Sequence, residues 1–193
     1  MEKKALFGFK FRKDEKEKGT KFLLVFVIIY SLLYFGFNFI VPLEMFEFFV
    51  ASIVMSLLGI MGVKGSIVLQ EPVLILLESS LEIQISYLCT GLMEIFIVIG
   101  AVLASLGIEM RKRLIGIVAG VVFAFVFNIF RIVVTILFAV SNPAPGVLEF
   151  THDILFRVTL FVVIAGFYIV WFLWATNQLE NAKKDIANVF RKK

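Results

Sequence analysis

Residues Leu114–Val140 read LIGIVAGVVFAFVFNIFRIVVTILFAV, an apolar run whose only strongly polar side chains are Asn128, Arg131 and Thr135. Arg111-Lys112-Arg113 stands immediately before it. Roughly 20 apolar residues cross a bilayer core about 30 Å thick, so this run predicts a transmembrane helix with its basic start in the cytoplasm. The whole composition agrees with a bilayer. Hydrophobic residues make up 61% of the chain and charged residues only 18%, against about half and a quarter in soluble domains. Mean hydropathy is +0.99, and Phe occurs 23 times.

Working outward, Phe22–Val41, Gly91–Gly107 and about His152–Ala175 also reach spanning length. Eight of the 19 Lys and Arg precede Phe22, and five follow Thr176. Basic clusters mark the cytoplasmic side, so both termini and the 108–113 loop are expected there, which demands an even number of crossings. Four crossings satisfy every cluster; five violate at least one. Met45–Gly62 is therefore expected not to cross. Its Glu44, Glu47, Ala51, Ser56, Gly59 and Gly62 form a polar or small stripe along one side of a helix. It reads as an amphipathic helix lying at the outer face or packed against the bundle, the rival being a true span packed through small residues. The first span has too long a basic leader and apolar run for a cleaved signal peptide, and no A-x-A site follows; it is expected to stay as an anchor.

Between Val63 and Leu88 the period changes. Leu81-Glu82-Ile83-Gln84-Ile85-Ser86-Tyr87 alternates apolar and polar, the signature of a half-buried strand. Ile67–Leu69 and Val73–Leu77 are its expected partners, with Glu71-Pro72 breaking between them. The predicted fold is an all-α polytopic membrane protein: a four-span helical bundle with an outer-face amphipathic helix (45–62) and a small extracytoplasmic β-hairpin (66–88). The layout is a basic cytoplasmic arm (1–21), one transmembrane catalytic domain (22–175) and a basic cytoplasmic tail (176–193).

Several function classes fall away. One Cys excludes an internal disulfide, a CxxC redox pair and a Cys-rich metal site. One His without HExxH argues against a zinc protease. The net charge of +4 clusters at membrane boundaries, so it describes topology rather than nucleic-acid binding.

Inside a membrane the expensive residues carry the information. A mid-bilayer Arg costs at least about 2.5 kcal/mol, and Arg131 lies about 25 Å up its helix from Leu114, in the outer half. Cys89 begins one span at the outer face, and His152 begins another there. A thiolate is the reactive form of cysteine, and a helix N-terminus favours it through the macrodipole and uncommitted N–H groups, which can also face an oxyanion. His152 can shuttle a proton. Its helix end favours the neutral ring and a thiolate neighbour the charged one. Arg131 stays protonated, so its role is to hold an oxyanion or a substrate carboxylate. Glu94 lies about 7 Å below Cys89 and Arg157 about as far below His152. A Glu94–arginine pair that neutralises buried charge is the plain reading of both; the alternative sets Arg157 against a lipid phosphate or substrate. Asp153 is placed to orient His152 only loosely, because adjacent helix positions do not face each other.

YLCTGL (87–92), FNIFRI (127–132) and THDILFR (151–157), in that order and each at the outer end of a span, resemble the exosortase/archaeosortase family. LLGIMGVKGSIVL (57–69) is similar to the family's segment ahead of its cysteine, and the likeness runs over roughly 46–171. The chain is shorter than eight-span members and looks like a compact archaeosortase. The Asp after His152, with no glycine soon behind it, departs from the family pattern.

The resemblance implies a membrane-embedded, sortase-like cysteine transpeptidase, with Cys89 as nucleophile, Arg131 as oxyanion or orienting residue and His152 as acid/base. Gly91, Glu94, Asn128, Asp153 and Arg157 are then supporting or substrate-binding residues. The implied substrates are secreted proteins with a C-terminal motif, transmembrane helix and basic tail. The implied acceptor is a membrane lipid, and no metal or cofactor is called for. Two other classes stay open: a non-enzymatic transport or assembly subunit, and an intramembrane cysteine protease that hydrolyses without transfer.

Overall fold

The computed structural model describes residues 13–78, 81–142 and 160–178. His152, Asp153 and Arg157, and the expected start of the last span, lie outside them. Among the described residues, five helices and one small sheet follow each other: α1 (Lys13–Ile40), α2 (Leu43–Ile60), β1 (Gly65–Val68), β2 (Val73–Leu77), β3 (Glu82–Ile85), α3 (Leu92–Ala104), α4 (Met110–Ser141) and α5 (Leu160–Ala175).

Helix α4 organises the bundle, and its sequence shows why. Gly116, Gly120, Ala124 and Asn128 recur every four residues and all are buried, so one face of the helix carries almost no side-chain bulk. Small faces let helix backbones approach closely where water is absent. A Cβ at Gly116 would run into the Trp171 indole, and one at Gly120 into Phe167 and Val98. Helices α5 and α3 therefore rest directly on α4. Trp171 Nε1 donates to the Lys112 carbonyl at 3.2 Å, and Lys112 Nζ donates to that of Ala175 at 2.9 Å. These two bonds pin the C-terminal end of α5 to the first turn of α4.

Helix α1 contributes an aromatic ladder. Phe22, Phe26, Tyr30 and Tyr34 stand four apart, one above the other, with ring centroids 6.1–6.3 Å apart. Phe26 lies against α3 at Gly100, where a Cβ would sit 3.2 Å from its ring.

Among the described residues, three helices are long and apolar enough to cross a membrane: Lys16–Ile40, Leu43–Ile60 and Met110–Ser141. The last, at 32 residues, is about 48 Å long and exceeds the bilayer core. The expected set of spans differs in two places. The 45–62 segment forms a helix of spanning length, Leu43–Ile60. The 91–107 segment shortens to 13 helical residues, about 20 Å. Two glycines bracket it, Gly91 at φ +80° and Gly107 at φ +85°. A left-handed residue cannot continue a right-handed helix, so α3 starts after Gly91; it stops at Ala104, where Ser105 leaves helical geometry with ψ 86°.

The expected hairpin is a three-stranded antiparallel sheet in the order β1-β2-β3. Central β2 pairs with both neighbours: Gly65 faces Leu77 and Val68 faces Leu74 on one side, while Val73 faces Ile85 and Ile75 faces Ile83 on the other. The strand expected over 81–87 ends at Ile85, and its partner is β2 alone.

Val73, Ile75 and Leu77 form a core with Val50, Ala51, Val54 and Leu58 of α2 and Ile129, Ile132, Val133 and Ile136 of α4. This sheet changes which side of α2 is covered. Its buried face is Glu47, Val50, Ala51, Val54 and Leu58, so only Glu47 and Ala51 of the expected stripe belong to it. Glu44, Ser56, Gly59 and Gly62 are exposed, because an apolar strand is a better partner for the apolar face. Buried Glu47 accepts a hydrogen bond from the Val73 N–H at 3.4 Å.

Candidate active site

Strand β3 delivers the chain to its one cysteine through a single tight turn. Ile85 is buried, Ser86 is extended, and Tyr87–Cys89 close a 3₁₀ turn. The Cys89 N–H donates to the Ser86 carbonyl at 2.8 Å and the Thr90 N–H to that of Tyr87 at 3.2 Å. Thr90 Oγ1, fully buried, donates to the same Tyr87 carbonyl at 2.7 Å. Gly91 then turns left-handed and caps α3.

The expectation that backbone N–H groups beside Cys89 are uncommitted is thereby corrected. Those of Cys89 and Thr90 are consumed by the turn, because Cys89 sits before the α3 cap rather than in the helix's first turn.

Tyr87 holds the turn from the other side. Its hydroxyl donates to Met93 Sδ at 3.3 Å, and its ring meets Tyr34 of α1 edge-on with centroids 6.3 Å apart. Burial, with the neighbouring Tyr34, Tyr30 and Glu94 adding to it, pushes the Tyr87 phenol up to about 12. It is a neutral post.

Cys89 is half-buried against the core shared by α2, the sheet and α4. Its Sγ lies 3.5 Å from Ser86 Oγ. Its carbonyl oxygen faces α4, where Asn128 and Arg131 are both buried. Asn128 Nδ2 donates to that carbonyl at 3.0 Å, and Arg131 Nη2 does so at 3.4 Å. Arg131 Nη2 also donates to Asn128 Oδ1 at 2.7 Å. A permanent cation is thus held against the main chain of the one cysteine. Thr135 Oγ1 donates to the Arg131 carbonyl at 2.9 Å, so the polar residues of the span form one continuous column.

Glu94, in the first turn of α3, is buried and lines a small cavity with Asn128, Arg131, Ala124, Phe127, Val163 and Ile164. The expected Glu94–arginine ion pair is not formed with Arg131. The ion pair found among the described residues is Lys21–Glu17, on exposed α1, and Glu94 Oε2 has no hydrogen-bond partner there.

Of the residues singled out in the sequence, the structure brings Cys89, Gly91, Asn128 and Arg131 into contact and sets Glu94 beside them. His152, Asp153 and Arg157 lie outside the described residues. Ser86 and Thr90 were not singled out. Their only signal is spacing, since a hydroxyl three residues before Cys89 or one after it faces a 3₁₀ turn.

Neither the curated proteins nor the solved structures contain a match to this chain. Residues 18–170 match the family described as Transmembrane exosortase (Exosortase_EpsH). That match takes in every described residue of the site and most of the chain. This protein belongs to the transmembrane exosortase family, whose role is that of a membrane-embedded, cysteine-transpeptidase-like sorting protein.

Proposed function

We propose that this protein is a cysteine transpeptidase that removes a C-terminal sorting signal from secreted proteins and transfers the product to an acceptor in the membrane. The observation that carries the reading is the buried Arg131 guanidinium held against the backbone of the single cysteine. A bilayer-embedded arginine is costly unless it has polar partners or a task, and thiol chemistry supplies one. A neighbouring cation favours the thiolate, and the same cation stabilises the oxyanion of a tetrahedral intermediate.

The proposed sequence has two halves. The Cys89 thiolate attacks the scissile carbonyl carbon, and the carbonyl π electrons move onto oxygen, where Arg131 balances the charge. Collapse breaks the C–N bond; His152 gives the leaving amine its proton, and a thioester to Cys89 remains. An amine or hydroxyl, provided by a lipid, then attacks the thioester, loses its proton to His152 and regenerates the thiolate. Both termini face the cytoplasm in this reading, and the chemistry occurs near the outer face. The substrates are secreted proteins with a C-terminal motif, helix and basic tail.

The test is processing of such a protein in cells carrying Cys89→Ala, with mass spectrometry of the mature C-terminus in wild type. Loss of cleavage together with a lipid-bearing C-terminus is expected. Intact cleavage in Cys89→Ala overturns the nucleophile. A mature C-terminus ending in a carboxylate overturns the transfer step and leaves a hydrolytic protease.

A further inference from the structure

We infer that Asn128 is the positioning residue that sets the Cys89 thiol and the Arg131 guanidinium relative to one another. It rests on the reading of Cys89 as nucleophile and Arg131 as its cation. Asn128 bonds to the main chain of Cys89 and acts through it.

Three groups close a ring. The Cys89 carbonyl accepts from Asn128 Nδ2 and from Arg131 Nη2, and Asn128 Oδ1 accepts from that same Nη2. Only one orientation of the amide satisfies this arrangement. Flipped, it would aim its NH2 at a guanidinium with only donors and its oxygen at a carbonyl with only lone pairs.

The amide is also clamped sterically. A Cβ built on Gly91 would lie 2.7 Å from Asn128 Cγ and 2.9 Å from its Cβ and Nδ2. The left-handed Gly91 therefore lies flat on the Asn128 side chain. Backbone that turns from Cys89 into α3 is seated on one amide, and that amide also holds Arg131 by its Nη2. Displacing it moves thiol and cation independently.

Aspartate is the informative replacement. It has the shape of asparagine, keeps an acceptor for Arg131, and puts a second acceptor against the Cys89 carbonyl. It also adds a negative charge between cation and thiol. Among the described residues, the charged or titratable groups on the elements packed around Cys89 include Arg131 of α4, Glu94 of α3, Glu47 of α2 and Tyr87 of the turn, and this variant adds one carboxylate beside Arg131.

The test uses the full chain in lipid nanodiscs, with iodoacetamide as probe, so no substrate is required. The rate of Cys89 alkylation is followed against pH. In Asn128→Asp the midpoint is expected to rise by about one unit, slowing the reaction about tenfold below the midpoint. Asn128→Ala is expected to lower processing of a secreted substrate in cells by about tenfold or more. An unmoved midpoint in Asn128→Asp overturns the inference, including where only thermal stability falls. If Asn128→Asp does not give monodisperse protein, Asn128→Ser is read by the same probe; there an alkylation rate and processing within about twofold of wild type overturn the inference. Processing retained in Cys89→Ala instead removes the nucleophile reading, while the effect of Asn128 on thiol reactivity stands as measured.

Discussion

The two halves of α4 present the same face to their neighbours and use it for opposite purposes. Toward its N-terminus, Gly116 and Gly120 lie under Trp171, Phe167 and Val98, and the Trp171 indole reaches past Gly116 to the Lys112 carbonyl at 3.2 Å, a bond that only fastens helix to helix. Two turns beyond Gly120, at the same spacing, Asn128 lies under Gly91 and its amide is hydrogen-bonded to the backbone above it. In the first half, the small residue is on α4 and the bulk is on its partner. In the second, α4 supplies the bulk and the partner supplies the glycine. Close approach of helices is a packing device at one end of this bundle, while at the other it brings a guanidinium to a cysteine.

That contrast can be broken experimentally, starting with its chemical end. Arg131→Gln keeps the volume and removes the charge. It is expected to lower processing by about 10²–10³-fold while thermal stability in detergent stays near wild type, measured by substrate cleavage beside a melting curve. A loss of folding with no specific loss of processing would make Arg131 a packing residue like its neighbours below. Gly91→Ala is the next test, combining a left-handed backbone cost of about 1–2 kcal/mol with a Cβ inside contact distance of Asn128. Processing should fall sharply with only a modest drop in melting temperature, since the strain is confined to the turn.

Gly120→Ala reverses the pattern. Its Cβ has nowhere to go between Val98 and Phe167, so about 1–3 kcal/mol of stability should be lost, and processing should decline only in step with folded protein. The smallest effect belongs to Tyr87→Phe. Removing its contact with Met93 should barely change the melting temperature, and the ultraviolet titration step at about 12 should vanish from the alkaline profile. Sign follows from the raised value. The neutral phenol favours the folded state fully below the ordinary value of 10.0, and this contribution is lost as pH rises through about 12. Wild type should therefore lose more stability than Tyr87→Phe across that window.

Much of the bundle was legible because hydropathy and helical period are local properties. The long apolar runs at 22–41 and 114–140 coincide with helices of spanning length, and the alternation around Ile83 and Ile85 marks a strand. Cys89 and Arg131 stood out because a reactive or charged side chain is conspicuous in an apolar sequence. The misreadings came from places where neighbours decide. Apolar runs do not show where the backbone leaves helical geometry, as it does at Gly91 and Ser105, so the helix within 91–107 covers Leu92–Ala104. A stripe on α2 does not show which face a sheet will cover, so Ser56 and Gly59 were grouped with residues that are buried. Which arginine a buried Glu94 would meet is likewise a matter of neighbours: it lies beside Arg131 without an ion pair to it, and Arg157 lies outside the described residues.

By itself, the sequence determined that this chain lives in a membrane, and that its chemistry had to come from a handful of residues, since apolar segments and costly charges declare themselves one residue at a time. Only the tertiary structure decided what those residues do to one another. Helix rotation and the path of the turn at Gly91 set Asn128 and Arg131 against the carbonyl of Cys89. A hydrogen bond needs a particular atom within about 3 Å in a particular direction, and no spacing along the chain specifies that.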